Sequence, residues 1–279
     1  MSVSPYLQAP EHPPKQPRVA LFITCLVDAM RPSVAFATIK LLEAAGCQVS
    51  VPELQTCCGQ PAYNSGAKLD TQKIARQNLK KFADYDFVVG PSGSCIGMLH
   101  QYPDLFAPGS TDHQQAENLA RKAWEATSFL TDVMQFQMPT TQQSIKVTYH
   151  DSCAGLRELG VQQQPRQLLA QVAGLEINEM AEADTCCGFG GTFCIKFPDI
   201  SNRMVSNKAE NAEQSGAQML LGGDLGCLMN MAGKLKRQES TLQTRHVLEL
   251  LADMLEEPAI GEAPGTPLRA PDTQLGYEV

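Results

Sequence analysis

A Cys-Cys-Gly triplet occurs twice in this chain, and each time an earlier and a later cysteine frame it. One set is Cys25, Cys57, Cys58 and Cys95; the other is Cys153, Cys186, Cys187 and Cys227. As spacings they read C-x31-CC-x36-C and C-x32-CC-x39-C, and equivalent cysteines are offset by 128, 129 and 132 residues. Eight of the ten cysteines obey this scheme. Self-similarity at a fixed period means that one structural unit has been laid down twice in tandem.

The residues around the cysteines repeat as well. A β-rich apolar run (19–24; 145–149) ends at the first cysteine of each copy. An amphipathic helix follows (33–45; 164–172), with Gly46 and Gly174 as stops, and then a short second strand (49–51; 176–178) that leads into the CCG loop. A second helix (68–82; 201–215) precedes a third strand (87–89; 218–221), whose end carries the last cysteine. Strands alternating with helices imply right-handed βαβ units on a parallel sheet. The expected fold is therefore α/β: two tandem, pseudo-symmetric βαβ-type repeats with parallel sheets and the cysteines at the carboxyl ends of strands, where such sheets hold ligands. Residues 18–138 form the first repeat, with a helix and linker over 112–137, and 145–256 form the second. Residues 244–256 read as an amphipathic helix packed on the sheet. The Pro-, Gly- and polar-rich segments 1–17 and 257–279 read as disordered tails.

Adjacent cysteines are poor disulfide partners, because consecutive Cα atoms lie about 3.8 Å apart and a disulfide wants roughly 4.4–6.8 Å. On a regular strand their side chains would point to opposite faces. An irregular loop can aim both sulfurs at one centre, and Gly59 and Gly188 give it the backbone freedom. A glycine also lets backbone N–H groups approach thiolate and sulfide. Ten cysteines in 279 residues fall below the roughly 8–10% of a disulfide scaffold, which leaves metal binding or redox chemistry. Four soft thiolates per repeat suit Zn²⁺ or an iron–sulfur cluster. Paired C-x2–4-C knuckles, the usual zinc signature, are lacking, so a cluster is the preferred reading and zinc the alternative.

Twenty-two basic against 30 acidic side chains, a net charge of −8, argue against nucleic acid as a partner. No run approaches the roughly 20 apolar residues of a membrane span, so membrane insertion is not expected. The apolar run 19–27 lacks the small-residue cleavage site of a signal peptide and reads as the first strand, which places the chain in the cytoplasm, where thiols stay reduced.

The doubled pattern, with the stretches TCCGQPAYNSG, PSGSC and DTCCGFGGTFCIK, resembles the cysteine-rich CCG domain family. That family includes the CCG-bearing subunit of heterodisulfide reductase, the iron–sulfur subunit of glycolate oxidase and the small iron–sulfur subunit of the bacterial L-lactate utilisation system; the likeness to the lactate type is greatest. The resemblance implies one or two [4Fe–4S] clusters per chain, held by Cys25, Cys57, Cys58 and Cys95 and by Cys153, Cys186, Cys187 and Cys227. It implies an electron-transfer subunit of a cytoplasmic complex that oxidises a 2-hydroxy acid, with partners that include a subunit carrying ferredoxin-like clusters. No flavin or nicotinamide motif is visible, so the chain is not expected to act alone. The sequence departs from the family in one respect. The family pattern ends C-x-x-C and so supplies a fifth ligand, but here that position is Met98 or Asn230. This weakens the reading as a heterodisulfide-reductase-like thiol–disulfide catalyst and keeps open a structural zinc-binding scaffold, with zinc in one repeat.

Lesser candidates surround these sets. Cys194, seven residues beyond Cys187, is a possible extra ligand or a buried bystander. His150 and Asp151 precede Cys153 and could bond to a cluster or carry protons beside it. Arg31 and Arg157 could offset cluster charge. Cys47, His100, His113 and His246 read as structural.

Overall fold

The computed structural model describes residues 3–12, 14–139 and 142–263. It contains eight strands in two sheets. In the first repeat these are β1 (Arg18–Leu21), β2 (Gln48–Ser50), β3 (Phe87–Gly90) and β4 (Ala123–Glu125); in the second, β5 (Gln142–His150), β6 (Ala173–Ile177), β7 (Met219–Gly222) and β8 (Gln243–His246). Each sheet is wholly parallel, with strand orders β2-β1-β3-β4 and β6-β5-β7-β8. The two repeats therefore share one topology, as their matching cysteine spacings require.

Helices α1 (Cys25–Met30), α2 (Pro32–Ala44), α3 (Gln60–Asn64), α4 (Lys68–Lys81), α5 (Gly93–His100), α6 (Thr111–Lys122) and α7 (Ala126–Ser128) belong to the first repeat. Helices α8 (Cys153–Leu159), α9 (Gln163–Leu169), α10 (Phe193–Lys196), α11 (Pro198–Gln214), α12 (Leu225–Arg237) and α13 (Val247–Leu251) belong to the second. Pro32 and Pro198 stand at first helical positions, where a missing N–H costs nothing.

Strand alternation divides the core. Val19, Phe87 and Val89 from the first sheet, and Val147, Tyr149, Met219 and Leu221 from the second, bury one shared apolar centre between the halves. Ala20 and Val88 turn to the outer helices of their own half, and Leu220 does the same in the second. The halves then exchange contacts in equivalent pairs. Helix α2 packs on α13 and α9 on α7; α5 packs on α8 and α1 on α12. At the α5–α8 crossing the backbones nearly touch, for a Cβ on Gly93 would stand 2.7 Å from the Gly155 Cα.

The fourth strand of each sheet departs from the sequence expectation. The segment 112–137 is not only helix and linker but also contains β4, and 244–256 begins with β8 before the short α13. Both strands are fully buried, although β8 is Gln-Thr-Arg-His. Position beside β3 and β7 makes them strands, because no apolar alternation does. Gly174, expected as a helix stop, lies at φ +80 inside β6 instead. The segments expected as tails are partly held against the body. Ser4 donates its N–H to the Glu158 carbonyl (2.8 Å), and Ile260 donates to the Thr244 carbonyl (2.9 Å). Residues 1, 2, 13 and 264–279 lie outside the described residues.

Glu125, at the end of β4, caps α7: one carboxylate oxygen accepts the Thr127 and Ser128 N–H groups (2.9 and 3.1 Å), while the other has no partner. Burial pushes its carboxyl from about 4.5 up to about 6. A raised folded value stabilises the protonated form, so this contribution is fully present below pH 4.5 and is lost as pH rises through 6. It amounts to about 2 kcal/mol at 1.36 kcal/mol per unit. Glu125→Gln should therefore flatten the stability profile across that window in urea titrations at pH 4.5 and 7. Profiles of equal slope for the two proteins would contradict the assignment.

Candidate metal centres

The first cysteine of each set opens a helix directly after a strand: Cys25 begins α1 after β1, and Cys153 begins α8 after β5. The last cysteine of each set is the third residue of a helix, Cys95 in α5 and Cys227 in α12. Helix N-termini carry partial positive charge, which favours thiolate over thiol. The vicinal pairs arrive on loops whose glycines have left-handed backbones, Gly59 at φ +87 and Gly188 at φ +83. That conformation turns each glycine N–H back onto the sulfur two residues earlier: Gly59 to Cys57 and Gly188 to Cys186, both at 3.4 Å. A Cβ at Gly188 would also lie 2.9 Å from the Ser201 carbonyl oxygen.

All eight sulfurs fall into the two expected sets. In the first, Cys25 and Cys57 are 4.0 Å apart and Cys58 and Cys95 3.5 Å. In the second, Cys153 interacts with Cys186, and Cys187 with both Cys186 and Cys227. Within each set the hydrogen bonds favour the thiolate form at one sulfur. Cys57 is held down to about 2 by hydrogen bonds from Cys25 and Cys58 and by the Gly59 N–H, and Cys186 equally by Cys153, Cys187 and Gly188. Cys25, Cys58, Cys153 and Cys187 are pushed above the ordinary thiol range, each chiefly by its hydrogen bond to that thiolate. Sulfurs at this spacing cannot all be anionic without a cation among them, which is the condition a thiolate-bound metal meets.

The donor set fits such a group. A zinc ion bonded at about 2.3 Å to four tetrahedral sulfurs spaces them about 3.8 Å apart, close to the distances here. A larger cluster requires the sulfurs to open outward, and they have room. A cavity of about 430 Å³ is bordered by Cys25, Cys57, Cys58 and Cys95 on one side and Cys153 and Cys227 on the other. Both sets thus open on one space between the halves.

The two centres differ in their surroundings. Behind the first, Asn78 donates to the Cys57 carbonyl (3.1 Å) and Tyr102 to the Cys58 carbonyl (2.8 Å). At the position matching Asn78, the second repeat has Lys208, 2% exposed, which donates to the Glu182 and Ala183 carbonyls beside its CCG loop. Asn230, in place of the absent fifth cysteine, donates to the Cys187 carbonyl (2.9 Å), while Met98 is packed in the apolar core. His150 is buried next to Cys187 and Cys227. Asp151 turns away and pairs with Arg166 (2.8 Å). Asp224, which sequence reasoning passed over, joins the halves: its carboxylate accepts the Ser94 N–H (3.0 Å) and the Ser92 hydroxyl (3.2 Å). Its signal was available, since Asp224 is what the second repeat has in place of Ser92. Of the lesser candidates, Cys194 donates to the Gly191 carbonyl (3.6 Å) and is not among the residues lining the cavity. Arg31 binds Glu249 rather than a cysteine set, and Arg157 is exposed. Cys47 is buried in the apolar core. His100 and His246 hold backbone carbonyls of Ala123 and Pro91.

Comparison with known proteins gives a consistent picture. The model of the cysteine-rich domain, CCG, matches residues 19–100 and 147–232. Lactate utilization protein A of Halalkalibacterium halodurans is 44% identical over 234 residues, covering 84% of this chain and 96% of that protein. Lactate utilization protein A of Bacillus subtilis is likewise 44% identical over 234 residues, covering 84% and 98%. Among solved structures, a hypothetical protein from Helicobacter pylori superposes with a TM-score of 0.61 at 12% identity, covering 92% of this chain and 52% of that one. That likeness concerns the fold alone, and the chain spans about half of that protein.

Proposed function

Given that this chain belongs to the cysteine-rich CCG domain family, we propose that it is an iron–sulfur electron-transfer subunit of a cytoplasmic complex that oxidises a 2-hydroxy acid, L-lactate by analogy with the names of its relatives. The observation that carries the reading is that all four cysteines of the first set and Cys153 and Cys227 of the second line one cavity. Cys25, Cys57, Cys58 and Cys95 would hold one group and Cys153, Cys186, Cys187 and Cys227 the other. An iron–sulfur cluster, when bound, takes up and releases electrons one at a time. The protein holds the thiolates by helix N-termini, directs the Gly59 and Gly188 N–H groups at sulfur, and keeps Cys58, Cys187 and Cys227 out of water. Those are the levers that set potential in such sites. The acid itself would be oxidised by a partner subunit, and a larger partner with ferredoxin-like clusters would relay electrons. Among the described residues no helix is long and apolar enough to cross a membrane.

A structural zinc site is the second reading, favoured by the 3.5 and 4.0 Å sulfur spacings. Anaerobic purification followed by metal and acid-labile sulfide analysis separates the two. Iron with sulfide, and a visible spectrum bleached by dithionite, is the expected result. Zinc without sulfide would overturn electron transfer in favour of a scaffold.

A further inference from the structure

We infer that the His150 imidazole is a protein ligand of the second centre, so that this centre has a nitrogen donor that the first one lacks. The inference rests on the proposal above that Cys153, Cys186, Cys187 and Cys227 hold a metal group. His150 ends β5, three residues before Cys153, and is 1% exposed. One ring nitrogen and the sulfurs of Cys187 and Cys227 all lie within 4.8 Å of one another. Neither ring nitrogen has a partner in full hydrogen-bond geometry; the Ala183 carbonyl is the one backbone acceptor that interacts with the ring, which leaves the other nitrogen's lone pair unmet.

Buried polar groups are hydrogen-bonded or bound to metal, because leaving water uncompensated is costly. The other two buried histidines obey the first half of that rule. His100 meets the Ser4 hydroxyl (2.7 Å) and the Ala123 carbonyl (2.9 Å). His246 accepts the Leu248 N–H (3.3 Å) and meets the Pro91 carbonyl (3.1 Å). His150 obeys neither half unless its lone pair is given to a metal, the role for which neutral imidazole is the commonest protein donor.

The first repeat provides an internal control. The residue three before Cys25 is Phe22, which packs edge-on against Phe82 with ring centroids 5.5 Å apart, deep in the apolar core. The same backbone position therefore accepts a purely apolar ring, and packing alone gives no reason for an imidazole in the second. What does differ is the donor supply. Asn230, at the absent fifth cysteine's place, has its amide committed to the Cys187 carbonyl. The further donor reaches the sulfurs from the strand side instead.

The test uses the full-length protein, purified without oxygen from cells fed ¹⁵N-histidine or unlabelled histidine, reduced, and measured by pulsed electron paramagnetic resonance. The expected result is a strongly coupled nitrogen that changes with the label and is lost in His150→Phe, the residue the first repeat itself uses, while the first centre's signal is retained. Iron and sulfide present with no histidine nitrogen coupled to either centre overturns the ligand but leaves electron transfer standing, and so does a coupling that persists in His150→Phe. The comparison of isotopes in the wild-type protein needs no variant to fold. If iron and sulfide are absent and zinc is found, electron transfer fails, and X-ray absorption at the zinc edge decides the ligand. A nitrogen neighbour lost in His150→Phe supports it, and all-sulfur zinc overturns it.

Discussion

Cys186→Ser should remove the metal of the second centre and leave that of the first, so that metal content and visible absorbance fall by about half and the second repeat unfolds at lower temperature. Cys186 is the sulfur of its set whose thiolate form is favoured, by interactions with Cys153 and Cys187 and by the Gly188 N–H. A serine hydroxyl keeps much of the volume but is a harder donor that stays protonated, so it cannot replace a thiolate toward a soft metal. Metal binding and folding are linked because the site does not exist in the unfolded chain; structural zinc contributes about 10–16 kcal/mol in small domains. Cys57→Ser should do the same to the first repeat, and the double variant should be colourless. Metal content that stays at the wild-type level in both single variants would refute the ligand assignment.

Glu249→Gln should destabilise the fold by about 3–5 kcal/mol, the usual consequence of breaking a buried ion pair by removing one partner. Glu249 is completely buried and accepts from Arg31 Nε (2.8 Å) and Nη2 (3.3 Å), from the Ser33 hydroxyl (2.6 Å) and from the His246 N–H (3.2 Å). A second buried guanidinium, Arg245, has Nε and Nη1 without partners and also depends on the charge of Glu249. Glutamine keeps the shape and takes from part-buried Arg31 its ion-pair partner and from buried Arg245 the largest of its carboxylate attractions. Because Arg31 lies in the first repeat and Glu249 in the second, the loss falls on the contact between halves. Thermal or urea unfolding at constant metal content measures it. The exposed Lys73–Asp70 pair serves as a control, since breaking it should change stability by no more than about 1 kcal/mol. Equal effects at the two sites would show that Glu249 does not hold the halves together.

The duplicated cysteine scheme was legible because it is written in residue identity and spacing, which need no tertiary context. Most of the long helices were legible too, although α12, thirteen residues at Leu225–Arg237, was not expected. Amphipathic spacing located α2 and α11 to within a few residues, and Pro32 and Pro198, which that reading did not use, mark their starts. Strands β4 and β8 were not, being short, and β8 carries Gln-Thr-Arg-His, which shows no apolar alternation although the strand is buried beside β7. Arg31 looked like a counterion for the cysteines because it lies near them in sequence. Its partner, Glu249, is 218 residues away. The shared cavity depends on α5 meeting α8 at Gly93 and Gly155, and no local pattern announces which glycines mark such a crossing.

The pairing of α1 with α12, α5 with α8, α2 with α13 and α7 with α9 has the form of an isologous two-fold interface, the commonest way in which identical subunits associate. Two separate copies of one repeat would meet in the same way, each site walled by its twin. In such a homodimer every substitution is made twice and both sites stay identical. Joining the copies into one polypeptide removes that constraint: Phe22 and His150, or Asn78 and Lys208, can be chosen independently while the architecture is kept. A tandem chain of this kind can carry two unlike centres at a fixed separation, which a symmetric pair of single repeats cannot.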